Sequence, residues 1–334
     1  MTWFEELTSC TENSGAEVRR QLYLQGGRLH SRANGQSWAY GELETPSLAD
    51  LRDRASELGK TSGNTTVREV VANVQDLHSD PANQNALFQV ASQFNLLEMM
   101  APDVKPEYGI GIYERDPTQG PACAIAAGAG TIFRHYFVEV DGQIGQSEGK
   151  QIDCLADLGG LLGNSGQRLW KMENGYALPS ESGLREINDH LSRMDDGAKD
   201  ELRCSLRIGI QWNMDVTIAT AEQRVSQAFC SALPILYTEH SMELWEPFAR
   251  LVLEATYEAT LCAAIENAAR TGVSKLFLTL VGGGAFGNDL SWIIDALKRS
   301  IFLYPASGLD IAVVSYWKSK SCVQELVHEL NTEN

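Results

Sequence analysis

The 334-residue chain has no run of Lys or Arg. Its 27 basic residues face 44 acidic ones, for a formal net charge of −17. A general nucleic-acid binder needs a basic footprint to displace counterions, and a polyanionic membrane surface asks for the same, so neither partner is expected. A small anionic ligand escapes that exclusion, because backbone N–H groups at a helix start hold phosphate without any cation. No apolar stretch reaches the ~18 residues of a membrane span. Residues 1–7 have neither a basic start nor a long apolar run, so no signal peptide is read there. The expected location is cytoplasmic. The cysteines, Cys10, Cys123, Cys154, Cys204, Cys230, Cys262 and Cys322, are scattered, odd in number and never spaced C-x-x-C. That pattern fits thiols used as small core residues in a reducing compartment, and it gives no metal site. The six histidines show no metal-ligand spacing either. There is no G-x-S-x-G elbow, no P-loop lysine and no G-x-G-x-x-G fingerprint.

What is present is an ordinary globular composition, 43% hydrophobic and 21% charged. The length suggests about two domains or one elaborated domain, able to bury roughly 75% of its unfolded surface without disulfides. Apolar runs read as strands over 22–24, 86–91, 206–212, 225–236, 275–281 and 309–316. Helical spacing or cap signals mark 47–58, an Ala-rich stretch from Gly120 to about 137, 151–162, 184–193, 243–271 and 290–302. Lys60, Thr61, Ser62, Gly63 and Asn64 form a polar turn read as a linker. Strands alternating with helices imply an α/β fold with a largely parallel or mixed sheet.

Two loops attract attention. The first is Gly282-Gly283-Gly284-Ala285-Phe286-Gly287-Asn288, between a buried strand and a helix. Its glycines allow tight turns and close approach to a ligand, and the helix start adds free N–H groups, so a diphosphate suits it. A plain flexible turn explains the glycines equally well. The second loop runs from Tyr113 to Cys123 and also enters a helix start, with Asp103, Glu107, Glu114 and Asp116 before it. A solvated acidic loop accounts for the first three. Asp116 is the candidate catalytic carboxylate, because Pro117 and Gly120 fix its backbone. Cys123, near the helix start, reads as a small buried residue.

The order of these elements over about 67–316 resembles a macrodomain, the ADP-ribose-binding fold. The resemblance rests on Asp76-Leu77, on the strand 88–91 leading to Asn95, on the 109–126 loop and helix, and on Gly284-Ala285-Phe286-Gly287. The helix start Thr118-Gln119-Gly120-Pro121-Ala122-Cys123-Ala124 is similar to the divergent MavL-type subclass, which removes ADP-ribose from arginine. The first loop lacks the family's usual glycine run, and 92–95 only loosely echoes its Asn-rich motif. The resemblance implies a three-layer α/β/α macrodomain-like mixed sheet. Residues 1–64 would be an N-terminal extension, and 65–334 the ADP-ribose-binding domain with a helical insertion at about 142–216.

It also implies site roles. Asp76 would accept from the adenine amino group and Leu77 would back the ring. The loop Gly282, Gly283, Gly284, Ala285, Phe286, Gly287 and Asn288 would hold the diphosphate and the distal ribose side. Asn95 and the Gln119-Gly120 turn would line the distal ribose, with Tyr113 and Thr118 in the same binding set. Asp116 would orient the attacking water or bind the departing guanidinium. The activity implied is removal of ADP-ribose from modified protein side chains, above all arginine, with ADP-ribose as ligand, an ADP-ribosylated protein as partner and no cofactor required. A non-catalytic reader of ADP-ribose is the alternative. An unrelated α/β enzyme with a structural glycine loop is the third reading.

Overall fold

The structure is a computed structural model describing residues 1–58, 63–219 and 221–332. Lys60, Thr61 and Ser62 of the polar turn read as a linker lie outside the described residues. The chain builds a seven-stranded mixed sheet covered by helices on both faces, a three-layer α/β/α arrangement. Its strands are β1 (Glu42–Glu44), β2 (Thr66–Val71), β3 (Leu87–Ala91), β4 (Gly209–Asp215), β5 (Arg224–Cys230), β6 (Lys275–Leu278) and β7 (Asp310–Ser315). They lie in the order β1-β4-β5-β3-β6-β7-β2. β5, β3, β6, β7 and β2 are parallel, and β4 runs antiparallel to both of its neighbours. The sheet thus takes β1 from the expected N-terminal extension and β4 from the expected insertion.

Period-two alternation assigns the faces. Phe88 of β3 stacks on Phe277 of β6 at 4.5 Å and on His78 at 3.8 Å. Gln227 of β5 points to the same face and donates to the Cys123 carbonyl. That face carries α3 (Val74–Ser79) and α4 (Gln119–Ala126), together with the N-terminal segment that includes α1 (Trp3–Thr8). On the other face Gln89 donates to Thr260, and Cys230 lies 3.3 Å from the same hydroxyl. Thr260 belongs to α5 (Met242–Thr271), which is buried almost continuously from Phe248 to Asn267. Around α5 pack α2 (Leu48–Glu57), α6 (Leu290–Leu303) and the helices Glu181–Ser192 and Asp196–Ser205, while α7 (Ser321–Thr332) packs on α6 and β2. All seven cysteines are free, and no helix among the described residues is long and apolar enough to cross a membrane.

Several sequence expectations shift. The Ala-rich helix does not run unbroken to 137: it breaks at Ala127 (φ −115, ψ 56) and resumes over Gly128–Ile132, then widens over Phe133–Phe137. The helix expected at 151–162 begins at Ala156, and the strand expected at 225–236 ends at Cys230. Asp76 and Leu77 do not end a strand. β2 stops at Val71, Asn73 caps α3 by accepting from Gln75 N, and both residues sit in that helix.

Three of the helices on the α5 face are joined by one buried carboxylate. Glu258 of α5, its side chain 2% exposed, receives Arg52 from α2 and Arg299 from α6. Burial alone would raise its pKa, but the two guanidiniums outweigh burial and hold it below the ordinary glutamate range. The sign is therefore fixed. Its stabilisation is full above the ordinary glutamate pKa and fades as pH falls through the depressed folded value. Glu258→Ala, which takes the buried carboxylate from both guanidiniums and leaves them only Asp200, is expected to cost about 3 kcal/mol in urea denaturation at neutral pH, and to cost less on acidification.

Candidate functional site

The parallel strands β5, β3, β6 and β7 release the chain at one edge of the sheet into loops that surround a cavity of about 390 Å³. The outer carboxyl edge of parallel strands is where open α/β sheets bind ligands. A larger, more open hollow of about 740 Å³ lies at the opposite edge, beside the start of β5. Its central charges satisfy one another, since Asp215 pairs with both Arg28 and Arg224. The strand-end cavity holds unsatisfied groups instead.

The first loop leaves β3 at Ala91. Leu96 adopts φ +65, a conformation that costs a branched residue energy and persists only where the surroundings over-determine it. They do so here. Arg134 donates to the Leu96 carbonyl and Asn95 Oδ1 receives Leu97 N, while Gln93 Oε1 receives Met99 N. Gln146 donates to the Asn95 carbonyl, and Phe94 N donates to the Gly175 carbonyl. The product of this bracing is Glu98, 2% exposed and on the cavity wall. Its amide donates to the Tyr113 hydroxyl, and its Oε1 has no hydrogen-bond partner among the described residues. Burial drives the Glu98 carboxyl well above the ordinary carboxylate range; buried Arg134 opposes the shift and Asp116 adds to it. The group is held toward its neutral, proton-donating form.

The second loop brings α4 against Glu98. A Cβ at Gly120 would stand 2.1 Å from the Ala91 carbonyl oxygen and 2.7 Å from Glu98 Oε2, so only glycine fits. Asp116, also on the cavity wall, accepts from Thr118 N at 2.8 Å. Thr118 places no side-chain cap on the helix, and Pro121 has no N–H. The first-turn amides of Gln119 and Gly120 have no partner within the helix. The third loop follows β6. Gly282 (φ +79) and Gly287 (φ +72) need the left-handed region. Buried Asn288 ties the loop down by donating to the Leu233 carbonyl. The loop's own bonds use the amides of Gly283, Gly287 and Asn288, leaving those of Gly284, Ala285 and Phe286 out. Successive amides of this kind form an anion-binding concavity.

Aromatic rings complete the walls. Phe286 lies 5.3 Å from Tyr176 and 5.7 Å from Tyr237, and the Tyr176 hydroxyl donates to the Met99 carbonyl. At the end of β7, Trp317 is 81% exposed at φ +66, in a three-residue turn closed by Lys318 N to the Tyr316 carbonyl. None of the described residues lining the cavity is Lys or Arg.

Of the residues singled out in the sequence, the structure brings Asp116, Thr118, Gln119, Gly120, Gly282, Gly284, Ala285 and Phe286 onto one cavity. Gly283, Gly287 and Asn288 shape the loop from behind. Asn95 and Tyr113 are fully buried and support Glu98 rather than line the cavity. Asp76 is exposed, Leu77 packs on the core, and neither lines the cavity. Gln119 also ties α3 in place, its Oε1 accepting from Val74 N. Cys123 is buried with its thiol pKa raised by that burial, as a packed core residue would be. Glu98, Tyr176, Tyr237 and Trp317 went unread. The signal for Glu98 was a single acid inside the apolar run Leu96-Leu97-Glu98-Met99-Met100.

No family model matches the chain, and no curated protein matches it in sequence. Among solved structures, poly(ADP-ribose) glycohydrolase from Deinococcus radiodurans in complex with ADP-ribose aligns with TM-score 0.49 and 10% identity, over 87% of this chain and 94% of that one. The enzyme of the same description from Thermomonospora curvata aligns with TM-score 0.48 and 12% identity, over 96% of each chain. Its complex with the inhibitor ADP-HPD gives TM-score 0.47 and 11% identity, again over 96% of each. Likeness at this level decides nothing about activity.

The fit at Gly120 yields a direct test. Gly120→Ala is expected to lower stability by about 2 kcal/mol, because neither the Ala91 carbonyl nor the Glu98 wall can retreat. Gly284→Ala, whose Cβ would meet nothing within 4 Å, should stay within about 0.5 kcal/mol of the parent in the same urea titration.

Proposed function

We propose that this chain binds ADP-ribose in the strand-end cavity and hydrolyses the N-glycosidic bond joining it to a modified protein side chain, with arginine as the preferred attachment residue. One observation carries the reading: Glu98, a carboxyl group buried on the cavity wall with Oε1 unpartnered, shares that cavity with two sets of backbone amides suited to a diphosphate. A reader of ADP-ribose needs the amides but gains nothing from an unpaired buried carboxyl, which costs stability. A hydrolase needs that group as its acid.

The chemistry follows from the two carboxyl groups. The diphosphate sits on the amides of Gln119 and Gly120 and of Gly284, Ala285 and Phe286, needing no Lys or Arg. Phe286 packs against the distal ribose, and Tyr316 with Trp317 offers the purine a face. Asp116 takes a proton from water as its oxygen bonds to the anomeric carbon. The carbon–nitrogen bond breaks with its electron pair passing to the guanidine nitrogen, and Glu98 supplies the proton that restores the guanidinium. The developing oxocarbenium and the cationic leaving group both favour a cavity that carries carboxyl groups and no Lys or Arg among its described lining residues. That charge pattern is the support for arginine.

The test is release of ADP-ribose from an ADP-ribosyl-arginine peptide. Glu98→Gln and Asp116→Asn are each expected to lower turnover by about 10²-fold or more while ADP-ribose affinity stays within about threefold. Trp317→Ala should weaken ADP-ribose binding about tenfold, and Asp76→Ala should leave it nearly unchanged, because Asp76 stands outside the cavity lining. Binding without turnover in the parent chain would favour the reader.

A further inference from the structure

We infer that Glu12, in the N-terminal segment, is a positioning residue for the hydrolytic site, setting the loop that carries Asp116; the assignment rests on the function proposed above. Glu12 lies about a hundred residues from that loop in sequence, yet its carboxylate closes on it. Oε1 accepts from Ile110 N at 2.8 Å and from the Tyr136 hydroxyl at 2.7 Å, and Oε2 accepts from Gly111 N at 2.8 Å. No Lys or Arg pairs with it among the described residues. A half-buried carboxylate with three neutral donors and no counter-ion is a directional device rather than an ion pair.

The loop is cut to fit it. A Cβ at Gly109 would lie 2.7 Å from the Glu12 carboxylate, and one at Gly111 would lie 2.8 Å from Oε2. Gly109 also needs φ +83. Trp3 grips the same turn from the other side: its Nε1 donates to the Ile110 carbonyl at 2.8 Å, and its amide donates to Glu114 Oε2 at 2.9 Å. The turn so held, Gly111–Arg115, ends on the site. Its buried Tyr113 receives Glu98 N, the Tyr113 carbonyl receives Asp116 N, and Asp116 then caps Thr118 N. One short turn therefore transmits the position of Glu12 to both carboxyl groups, while the glycine loop at 282–287 belongs to a different part of the chain. Removing the clamp should misplace the acid and base and spare most of the diphosphate contacts.

The experiment is Glu12→Gln, which keeps the shape of the side chain and replaces one acceptor oxygen with a donor facing a backbone amide, that of Gly111 or of Ile110. Amide hydrogen exchange over 110–116 should accelerate about tenfold or more, and turnover should fall about tenfold with ADP-ribose affinity within about twofold. Unchanged exchange over 110–116, or affinity falling in proportion to turnover, would overturn the assignment. If the parent chain neither binds ADP-ribose nor releases it, the functional reading fails, and the exchange result still decides whether Glu12 holds the loop. Should Glu12→Gln fail to fold, Trp3→Phe removes the bond to the Ile110 carbonyl and part of the ring's packing near Gly128 while leaving every Glu12 bond in place. It should show the same pattern at about threefold in exchange and in turnover, and no change in either would again overturn the assignment.

Discussion

The contact on which the site depends is the approach of the α4 start to the end of β3. Gly120 sits so close to the Ala91 carbonyl and to Glu98 Oε2 that a methyl group cannot enter. That contact closes one wall of the cavity and presses the Glu98 carboxyl against the first turn of a helix. It also shuts water away from the carboxyl, which is why burial dominates its acidity. The helix contributes the positive end of its dipole and free amides at the same point. Acid and anion site are thus consequences of one packing constraint.

Two segments outside the alternating α/β pattern maintain that constraint. The region after Val140 sends Gln146, Gln151 and the Gly175 carbonyl to hold 94–95, while the first twelve residues hold the 110–114 turn. Each loop of the site is therefore fixed from a distant part of the sequence. Rigid support of this kind lets a strained Leu96 and an unpaired buried carboxyl persist, since the energy they cost is offset by many ordinary hydrogen bonds around them.

Elements with strong apolar periodicity were legible in the sequence. The reading of α5 and α6 agrees with the structure to within a residue at each end, because their apolar spacing is local and Asp289 caps α6. β6 was read too long because Thr279, Leu280 and Val281 look like strand, yet Val281 N leaves the ladder for the Tyr257 hydroxyl. Ala232 and Leu233 misled in the same way: both are buried beyond the end of β5, Ala232 against Gly282 of the glycine loop and Leu233 with its carbonyl accepting from Asn288. The helix Asp196–Ser205 was missed because only Leu202 of its residues is buried. Within the site, the glycine loop and the α4 start were readable from local composition. Glu98 was not, since its meaning lies in Tyr113, Arg134 and Gly120, which are remote in sequence. Tyr176 and Tyr237 reach the cavity only through the tertiary fold.

The central claim is that a cavity without Lys or Arg holds a diphosphate sugar on backbone amides. Calorimetric titration of ADP-ribose at low and high salt tests it most directly. The account predicts saturable one-to-one binding whose affinity changes less than about threefold between ~50 mM and ~500 mM salt, because fixed dipoles at short range are weakly screened. Absence of binding at millimolar ligand, or an affinity that collapses with salt as a lysine- or arginine-held anion would, contradicts it.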